Sequence, residues 1–511
     1  RVADAIERKE KIIVLGDYDV DGATSSALLM RLLRSLDANA EVYIPDRVKE
    51  GYGPSPELME KFAQNKASVV ITVDCGITAF DSADRAKELG IDLIILDHHI
   101  SDVVLPNAHA VVNPNRFDET TDLKNLAAVG VAFIFSVGLV KIFRERGYFS
   151  SKDEPDLLSL LDLVALGTIC DMMSLNGLNR AFVIQGLKIL SKGKNLGLKL
   201  LSDYGRIDTK PTAYHLGFVI GPRINAGGRV GKSYLGTHLL STDDPAIAAK
   251  FASELEQYNE DRKIIEQQVY EEAIEMAESQ ASKNFILLHS ENWHQGVIGI
   301  VAGKIKERFQ KPVAAIAVDG EIGKASCRSV RGIDMGSKIV EAKKREIILS
   351  GGGHAMAAGF TVHKSKIEDL DKFLNDAVDK ESAKLEENNT CFYDAEVSSD
   401  GLSIDLAKEI EKLEPYGNGN SEPIIRINNV FVLKANVSNG KHITCILSPT
   451  RDSIGSKSIK AISFNSYGTE VGDLLLSEKP RKLSILGYIK VNNWQGNSYP
   501  QVSIYDIIAD E

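Results

Sequence analysis

From residue 11 to about 113, short apolar runs alternate with amphipathic stretches. Residues 12–15, 41–44, 69–73 and 92–96 read as strands; 23–36, 55–64 and 79–89 read as helices. This β-α-β-α rhythm predicts a parallel sheet with helices on its faces. Residues 127–200 are mainly helical in pattern, with helices expected over 129–146, 157–166 and 180–190.

The pattern then changes. Residues 211–232 are rich in Gly and Arg and contain Gly221-Pro222-Arg223-Ile224-Asn225-Ala226-Gly227-Gly228-Arg229. So many glycines predict a structured loop rather than a helix. From about 245 to 281 no Gly occurs, and Phe251, Leu255, Ile264, Ile265, Val269 and Ile274 form a rough apolar stripe. A long helix joining two globular parts is expected there. A second α/β unit follows over 284–388, with strands at 285–289 and 313–318 and the cluster Gly351-Gly352-Gly353-His354. Residues 381–390 are polar and charged, as a linker would be. Beyond 391 the pattern is all-β, with strands expected at 424–433, 443–447, 459–464 and 483–491. About 120 residues of this kind suit a small barrel. The expected division is 1–240, 241–283, 284–388 and 389–511.

Composition narrows the class. At 511 residues the chain is too long for one core. No apolar run approaches the roughly 20 residues that span a bilayer. The first ten residues read as a charged helix, not a signal peptide, and the missing initiator Met suggests numbering that begins inside a longer chain. The five cysteines (75, 170, 327, 391 and 445) lie far apart, which argues against zinc and disulfides and fits a reducing cytoplasm. Net charge is −11, so any nucleic-acid surface must be local. Residues 424–505 supply one: ten Lys and Arg against four Asp and Glu, a net +6.

Four acidic or histidine clusters follow short β-branched runs: Asp17-Tyr18-Asp19-Val20-Asp21, Val73-Asp74-Cys75-Gly76, Asp97-His98-His99 and Cys170-Asp171. A parallel α/β sheet carries its site at the carboxyl ends of its strands, so these groups converge. Carboxylates packed together repel one another unless cations sit among them. Asp, Asp, Asp and His form a ligand set for hard divalent ions, Mg²⁺ or Mn²⁺. Asp17 and Asp19 are two apart and can point the same way on extended backbone. Asp21 either faces the crevice or caps the following helix. His98 can ligate while His99 or Asp97 supports it, and Asp171 closes the set. Two ions about 3.5–4 Å apart serve in-line phosphoryl displacement. No Walker-type loop, G-x-S-x-G or H-E-x-x-H motif occurs.

These motifs resemble the DHH phosphoesterase superfamily. Gly221-Pro222-Arg223-Ile224-Asn225-Ala226 with Gly228-Arg229, Ala325-Ser326-Cys327-Arg328-Ser329 and Gly351-Gly352-Gly353-His354-Ala355 narrow the likeness to its RecJ family. The resemblance spans essentially the whole chain. It implies a parallel-sheet DHH catalytic domain, a long connecting helix, a second α/β DHH-associated domain and a C-terminal OB-like β-barrel. It implies stepwise 5′→3′ release of 5′-mononucleotides from single-stranded DNA, in DNA repair and recombination, with two Mg²⁺ or Mn²⁺ ions. It places catalysis on Asp17, Asp19, Asp74, His98, His99 and Asp171, with all but His99 as metal ligands and Asp74 as the bridge. Leu15 stands where many superfamily members have His, which implies a thinner shell for one ion.

Arg suits phosphate contact. Family likeness puts Arg47, Ser326 and Arg328 on the 5′ phosphate. His354, behind three glycines, is expected beside an anion-binding nest or in a tight turn. Arg223, Asn225 and Arg229 are expected, with Lys232, along a phosphate track at a domain junction. Trp494 is expected in a turn as a base-stacking group. A monomer is expected, with a single-strand-binding protein and a helicase as family partners. A second reading is a DHH phosphoesterase on small substrates: pyrophosphate, cyclic dinucleotides or short oligonucleotides. The basic C-terminal part argues against it. A non-catalytic scaffold would have lost the acidic ligands, which are all present.

Overall fold

The computed structural model describes residues 1–46, 50–381, 391–450, 458–477, 482–494 and 497–509, without the side chains of Trp494 and Ala509. Its contacts separate two compact units, 1–389 and 390–511.

The first unit opens with an all-parallel sheet of β1 (Ile12–Gly16), β2 (Ala40–Tyr43), β3 (Val69–Val73), β4 (Asp92–Leu96) and β5 (Ala110–Val112). The order is β2-β1-β3-β4-β5. β1 and β3 are buried along their whole length, as continuous apolar runs require. Register decides the site. Gly16 lies opposite Val73, and Val73 opposite Leu96. The residues that follow, Asp17, Asp74 and Asp97, therefore leave three adjacent strands at one level.

The helices Val20–Ser35, Pro56–Gln64 and Phe80–Glu88 connect these strands. Ser55 caps the second by accepting from Leu58 N. Further helices cover one face, among them Ala128–Glu145, Leu161–Cys170 and Gly177–Leu190. The expected loop at 211–232 is corrected: a π-helical turn, His215–Ile220, runs into an α-helix, Gly221–Val230. Its glycines serve close packing rather than turning. A Cβ on Gly228 would lie 3.0 Å from the Tyr18 carbonyl, and one on Gly221 2.4 Å from Cys170 Sγ.

The long helix is Pro245–Ser279, capped by Asp244, which accepts from Ala246 N and Ile247 N. The second sheet follows: β6 (Ile286–Ser290), β7 (Val313–Asp319), β8 (Ile322–Arg328), β9 (Ser350–His354) and β10 (Ala357–His363). Its order is β6-β7-β8-β10-β9, with only β6 and β7 parallel. Phe285 and Leu287 enter one core, Ile286 and Leu288 the other, and Val269, Ala273 and Ala277 of the long helix pack on the second. The glycine cluster at 351–353, read as a nest or turn, is instead edge-strand backbone paired with β10.

In the second unit the short β11 (Ala395–Glu396) is added alongside the first strand of a five-stranded barrel, made of β12 (Ile425–Ser438), β13 (His442–Ser448), β14 (Ile459–Ser463), β15 (Leu483–Trp494) and β16 (Asn497–Ala509). The order β11-β12-β13-β14-β16-β15 is closed by pairing of β12 with β15. Closure removes the open edges of the sheet. Among the described residues no helix is long and apolar enough to cross a membrane.

Candidate metal centre

The loop after β1 turns directly into the Val20–Ser35 helix. Asp19 is extended and caps this helix, its Oδ1 accepting from Gly22 N at 3.0 Å. A side chain on Gly22 would strike the Asp17 backbone, 2.5 Å from its carbonyl oxygen, so the loop closes only on glycine. Asp74 sits after β3 in the left-handed region, φ +62°, and Gly76 completes the turn at φ +113°. The Tyr52 hydroxyl donates to the Asp74 carbonyl at 2.9 Å.

Asp21 faces the crevice, one of its two expected placements, but it does not cap the following helix, whose cap is Asp19. Its carboxylate accepts from Ala128 N at 2.6 Å and Val129 N at 2.9 Å. It thus caps a helix more than a hundred residues away, whose own N-cap, Ala127, has no side chain for the task. It also approaches His98 Nε2, at 3.9 Å.

After β4, Asp97 organises both histidines. Its Oδ1 accepts from His98 N at 2.7 Å, His99 N at 3.1 Å and His99 Nδ1 at 2.7 Å, and its Oδ2 accepts from Ile77 N at 3.0 Å. Burial pushes the Asp97 carboxyl up, but these donors outweigh it and hold it below the usual range. Burial pushes His99 down, and the same bond to Asp97 reverses the shift to a net rise. With Nδ1 used by Asp97, His99 presents Nε2 to the crevice. Asn115 donates to the His98 carbonyl at 2.6 Å and Asn113 to that of His99 at 2.9 Å. Neither Asn stands out in the sequence, because each acts through a backbone carbonyl.

The expected ligands meet. His98 Nε2 lies 3.3 Å from Asp74 Oδ1 and 3.5 Å from Asp171 Oδ2. Three overlapping groups, Asp17-Asp19-Asp74, Asp74-His98-His99 and Asp21-His98-Asp171, each hold their ligand atoms within 4.8 Å of one another. Asp74 and His98 each belong to two of them. The buried His98 Nε2 and Asp171 Oδ2 receive no hydrogen bond from the described residues. Burial, then the Asp19 charge, raises Asp171 to about 7. Burial and neighbouring carboxylates push Asp74 and Asp21 well up. Burial, then the adjacent His99, lowers His98 to about 4, so it is a neutral donor at pH 7. Oxygen-rich, charge-crowded and short of donors, these residues fit hard divalent cations.

The phosphate-binding candidates divide. Ser326 and Arg328 lie on β8, with Arg328 Nη1 donating to Ser326 Oγ at 3.1 Å and to the Cys327 carbonyl at 2.7 Å. Burial lowers the Arg328 guanidinium. A Cβ on Gly299 would lie 2.9 Å from Ser326 Oγ and 3.1 Å from Arg328 Nη2, so this glycine keeps the space before them open. Arg229 donates to the Gly296 carbonyl at 2.9 Å, linking the Gly-rich helix to the second sheet's domain. Asn225, on the same helix, is half-buried. Arg223 departs from the expected phosphate track. It is turned inward and paired with Glu256 at 2.6 Å on the long helix. His354 is exposed at the end of β9. Arg47 and the Trp494 side chain lie outside the described residues; the Trp494 backbone ends β15 rather than a turn.

Known proteins share this arrangement. The DHH family N-terminal domain matches residues 11–168, the DHHA1 domain 282–380 and the RecJ OB domain 393–506. The chain is 34% identical to the Bacillus subtilis single-stranded-DNA-specific exonuclease RecJ, over 100% of this chain and 63% of that protein. It is 34% identical to Escherichia coli RecJ of the same description, over 98% of this chain and 88% of that one. The crystal structure of Thermus thermophilus RecJ in complex with Mn²⁺ matches with TM-score 0.82 and 28% identity, over 100% of this chain and 70% of that one. The Mg²⁺ complex from the same organism gives 0.74 and 26%, over 99% and 69%. The chain belongs to the RecJ family of DHH proteins.

Proposed function

We propose that this chain hydrolyses phosphodiester bonds of single-stranded DNA from the 5′ end, releasing 5′-mononucleotides, in DNA repair and recombination. The observation that carries this reading is the meeting of Asp17, Asp19, Asp74, His98 and Asp171 at neighbouring strand and helix ends, with His98 Nε2 and Asp171 Oδ2 buried and receiving no hydrogen bond from the described residues. The named activity of the E. coli and B. subtilis relatives supports it.

Asp17, Asp19, Asp74, His98 and Asp171 would hold two Mg²⁺ or Mn²⁺ ions. Bound there, such ions activate water and neutralise charge on the attacking and leaving oxygens. Asp97 fixes His99 with its Nε2 toward the crevice, where it donates to a phosphate oxygen or to the leaving group. Ser326 and Arg328 bind the terminal phosphate, and Arg229 and Asn225 follow the backbone. Arg47 completes the phosphate clamp, and His354 lies along the strand's path. The barrel, through its basic stretch over residues 424–505, holds the trailing single strand, with Trp494 stacking on a base. The four-part division at residues 240, 283 and 388 is retained, with a monomer in the cytoplasm served by a helicase and a single-strand-binding protein.

The test is a time course with Mn²⁺ and with EDTA on three substrates. These are a 3′-labelled single strand with a 5′ phosphate, the same strand 5′-labelled, and a blunt duplex. The expected result is a ladder shortening from the 5′ end, immediate release of labelled mononucleotide, an intact duplex and no reaction in EDTA. Turnover of dinucleotides or pyrophosphate only, with the long strand inert, would move the chain to the small-substrate reading.

A further inference from the structure

Tyr214 and Phe218 expose an aromatic pair that nothing in the proposed catalysis uses. Tyr214 is 64% exposed and Phe218 71%. Their rings stack on each other, centroids 5.1 Å apart and planes 24° apart. Single exposed apolar residues are ordinary, but two large rings presented together are not. The element is also unusual. The pair spans the π-helical turn His215–Ile220, and such turns gather at functional sites.

The position of this turn ties it to the metal centre. The Leu216 carbonyl accepts from Cys170 Sγ at 3.5 Å, and Cys170 is the residue before Asp171. From there the segment continues as the Gly221–Val230 helix to Gly228, packed on the carbonyl of Tyr18 between Asp17 and Asp19. The segment therefore borders the centre from one acidic ligand to two others. Gly205 packs against Val219 within the turn, and the next residue, Arg206, is exposed, as are Lys210 and the acids Asp203 and Asp208, so the stretch before the rings is neutral overall. Flat π-surface suits a single nucleic-acid strand, whose every base offers a stacking face, and an exposed Arg or Lys can meet a phosphate beside it.

We infer that Tyr214 and Phe218 form a stacking platform for a nucleobase of the single strand engaged at the metal centre, with Arg206 and Lys210 meeting its phosphates. The inference rests on the exonuclease reading and adds a base-contact subsite to it. Stacking is indifferent to base identity, so the platform would grip the strand without imposing sequence preference. It would also reject duplex, whose bases are already stacked.

The experiment uses the full chain with Ca²⁺ in place of Mg²⁺. Oligodeoxythymidylates carry 2-aminopurine at successive positions from the 5′ end. The Tyr214→Ala/Phe218→Ala double variant is compared with Tyr214→Phe/Phe218→Trp and with the unaltered protein. Both side chains are exposed, so a matching thermal melt is expected. In the double alanine variant, affinity should fall about tenfold, the order of one lost base–aromatic stack. The fluorescence quenching should disappear at one or two adjacent positions only, and the Phe/Trp variant should restore both. Affinity within twofold of the unaltered protein and an unchanged quenching pattern would overturn the platform and leave the pair as a contact for another protein. The unaltered protein is assayed for cleavage of the same strands in Mn²⁺. Cleavage there keeps a failed platform separate from a failed exonuclease reading, and no cleavage overturns both.

Discussion

The two sheets of the first unit handle buried charge in opposite ways. The first ends in acid: Asp17, Asp74 and Asp97 leave neighbouring strands at one level, and Asp171 joins them from a helix end. The second presents a cation: Arg328 on β8, with a hydroxyl and a carbonyl as its bonded partners and, among the described residues, no carboxylate in ion-pair range. Within the acidic crevice the same contrast repeats. Asp97 receives three N–H groups and a His, and stays ionised. Asp74 and Asp171 lack such donors and are pushed toward the neutral form. Where the protein supplies compensation, the charge is structural. Where it withholds compensation, the charge is available to a ligand of opposite sign, which the proposed function makes divalent cations at the first sheet and phosphate at the second.

Removing one charge from each sheet should separate function from stability. Asp74→Asn keeps the shape and removes a group shared by two ligand sets. Single-turnover cleavage should fall by about 10³-fold or more, as when a main source of transition-state charge stabilisation is lost. The metal-free melting temperature should not fall, because a repulsive buried charge is gone. Near-normal turnover would remove Asp74 from the centre. Arg328→Gln should act on substrate binding instead. Losing a charge-assisted hydrogen bond of about 1.5–3 kcal/mol weakens binding about 10- to 100-fold, read as a rise in KM larger than the fall in kcat. An equal fall in both sheets' variants in kcat alone would mean that Arg328 acts on the reacting group rather than on a bound phosphate.

The acidic half of this comparison was legible in the sequence, and the reason is local. Asp17, Asp74 and Asp97 each stand directly after a strand-forming run, so finding the strand finds the group; Asp171, at the end of the helix Leu161–Cys170, is the exception. The non-local half was not legible. Asp21 caps a helix that starts at Ala128, and no spacing rule reaches that far. The Gly-rich stretch was misread because glycine usually marks turns. Here Gly221, Gly227, Gly228 and Gly231 admit close neighbours (Cys170, Lys232, Tyr18 and the Tyr258 ring) while the backbone stays helical up to Val230. Tertiary packing repaid the poor helix propensity. Arg223 was assigned to phosphate from its basic neighbours, but its partner Glu256 lies on the next helix but one. Sequence pattern locates charges on elements; which charges are already neutralised is a property of the fold.

The C-terminal unit is a weaker candidate for phosphate contact: residues 424–505 are net +6, but the whole of 390–511 is net −3, so its positive charge is local. Deleting 390–511 leaves a unit with its own cores. Affinity for long single strands should drop about tenfold at low salt, and the slope of log affinity against log salt should become shallower as phosphate contacts are lost. The rate of the chemical step at saturating strand should change less. A truncated chain that binds with the same salt slope would assign the barrel's charge to another partner.

The smallest effect is thermodynamic, and it tests whether the crevice stores repulsion. Asp171 is raised to about 7, and Asp74 and Asp21 lie well above the ordinary carboxyl value of about 3.9. A raised acid binds its proton more tightly in the folded state. Its contribution to stability is full below the unfolded value and disappears as pH climbs through the folded one. The EDTA-treated protein should therefore lose melting temperature between pH 5.5 and 8. Mn²⁺ replaces those protons, so its stabilising increment should grow over the same interval, by about 1 °C for each kcal/mol gained in a unit of this size. Asp97 runs the other way, since a lowered acid contributes above its unfolded value and loses that only in stronger acid. It stays constant across this window and cannot mimic the effect. His99, also raised, loses its own contribution above about pH 6.5. Scanning calorimetry with and without Mn²⁺ at four pH values is therefore run on the unaltered protein and on His99→Gln. A loss that persists in the variant belongs to the carboxylates. An increment independent of pH would mean that the carboxylates are already ionised without metal. The contrast between compensated and uncompensated acids would then fail at its most exposed point, Asp171.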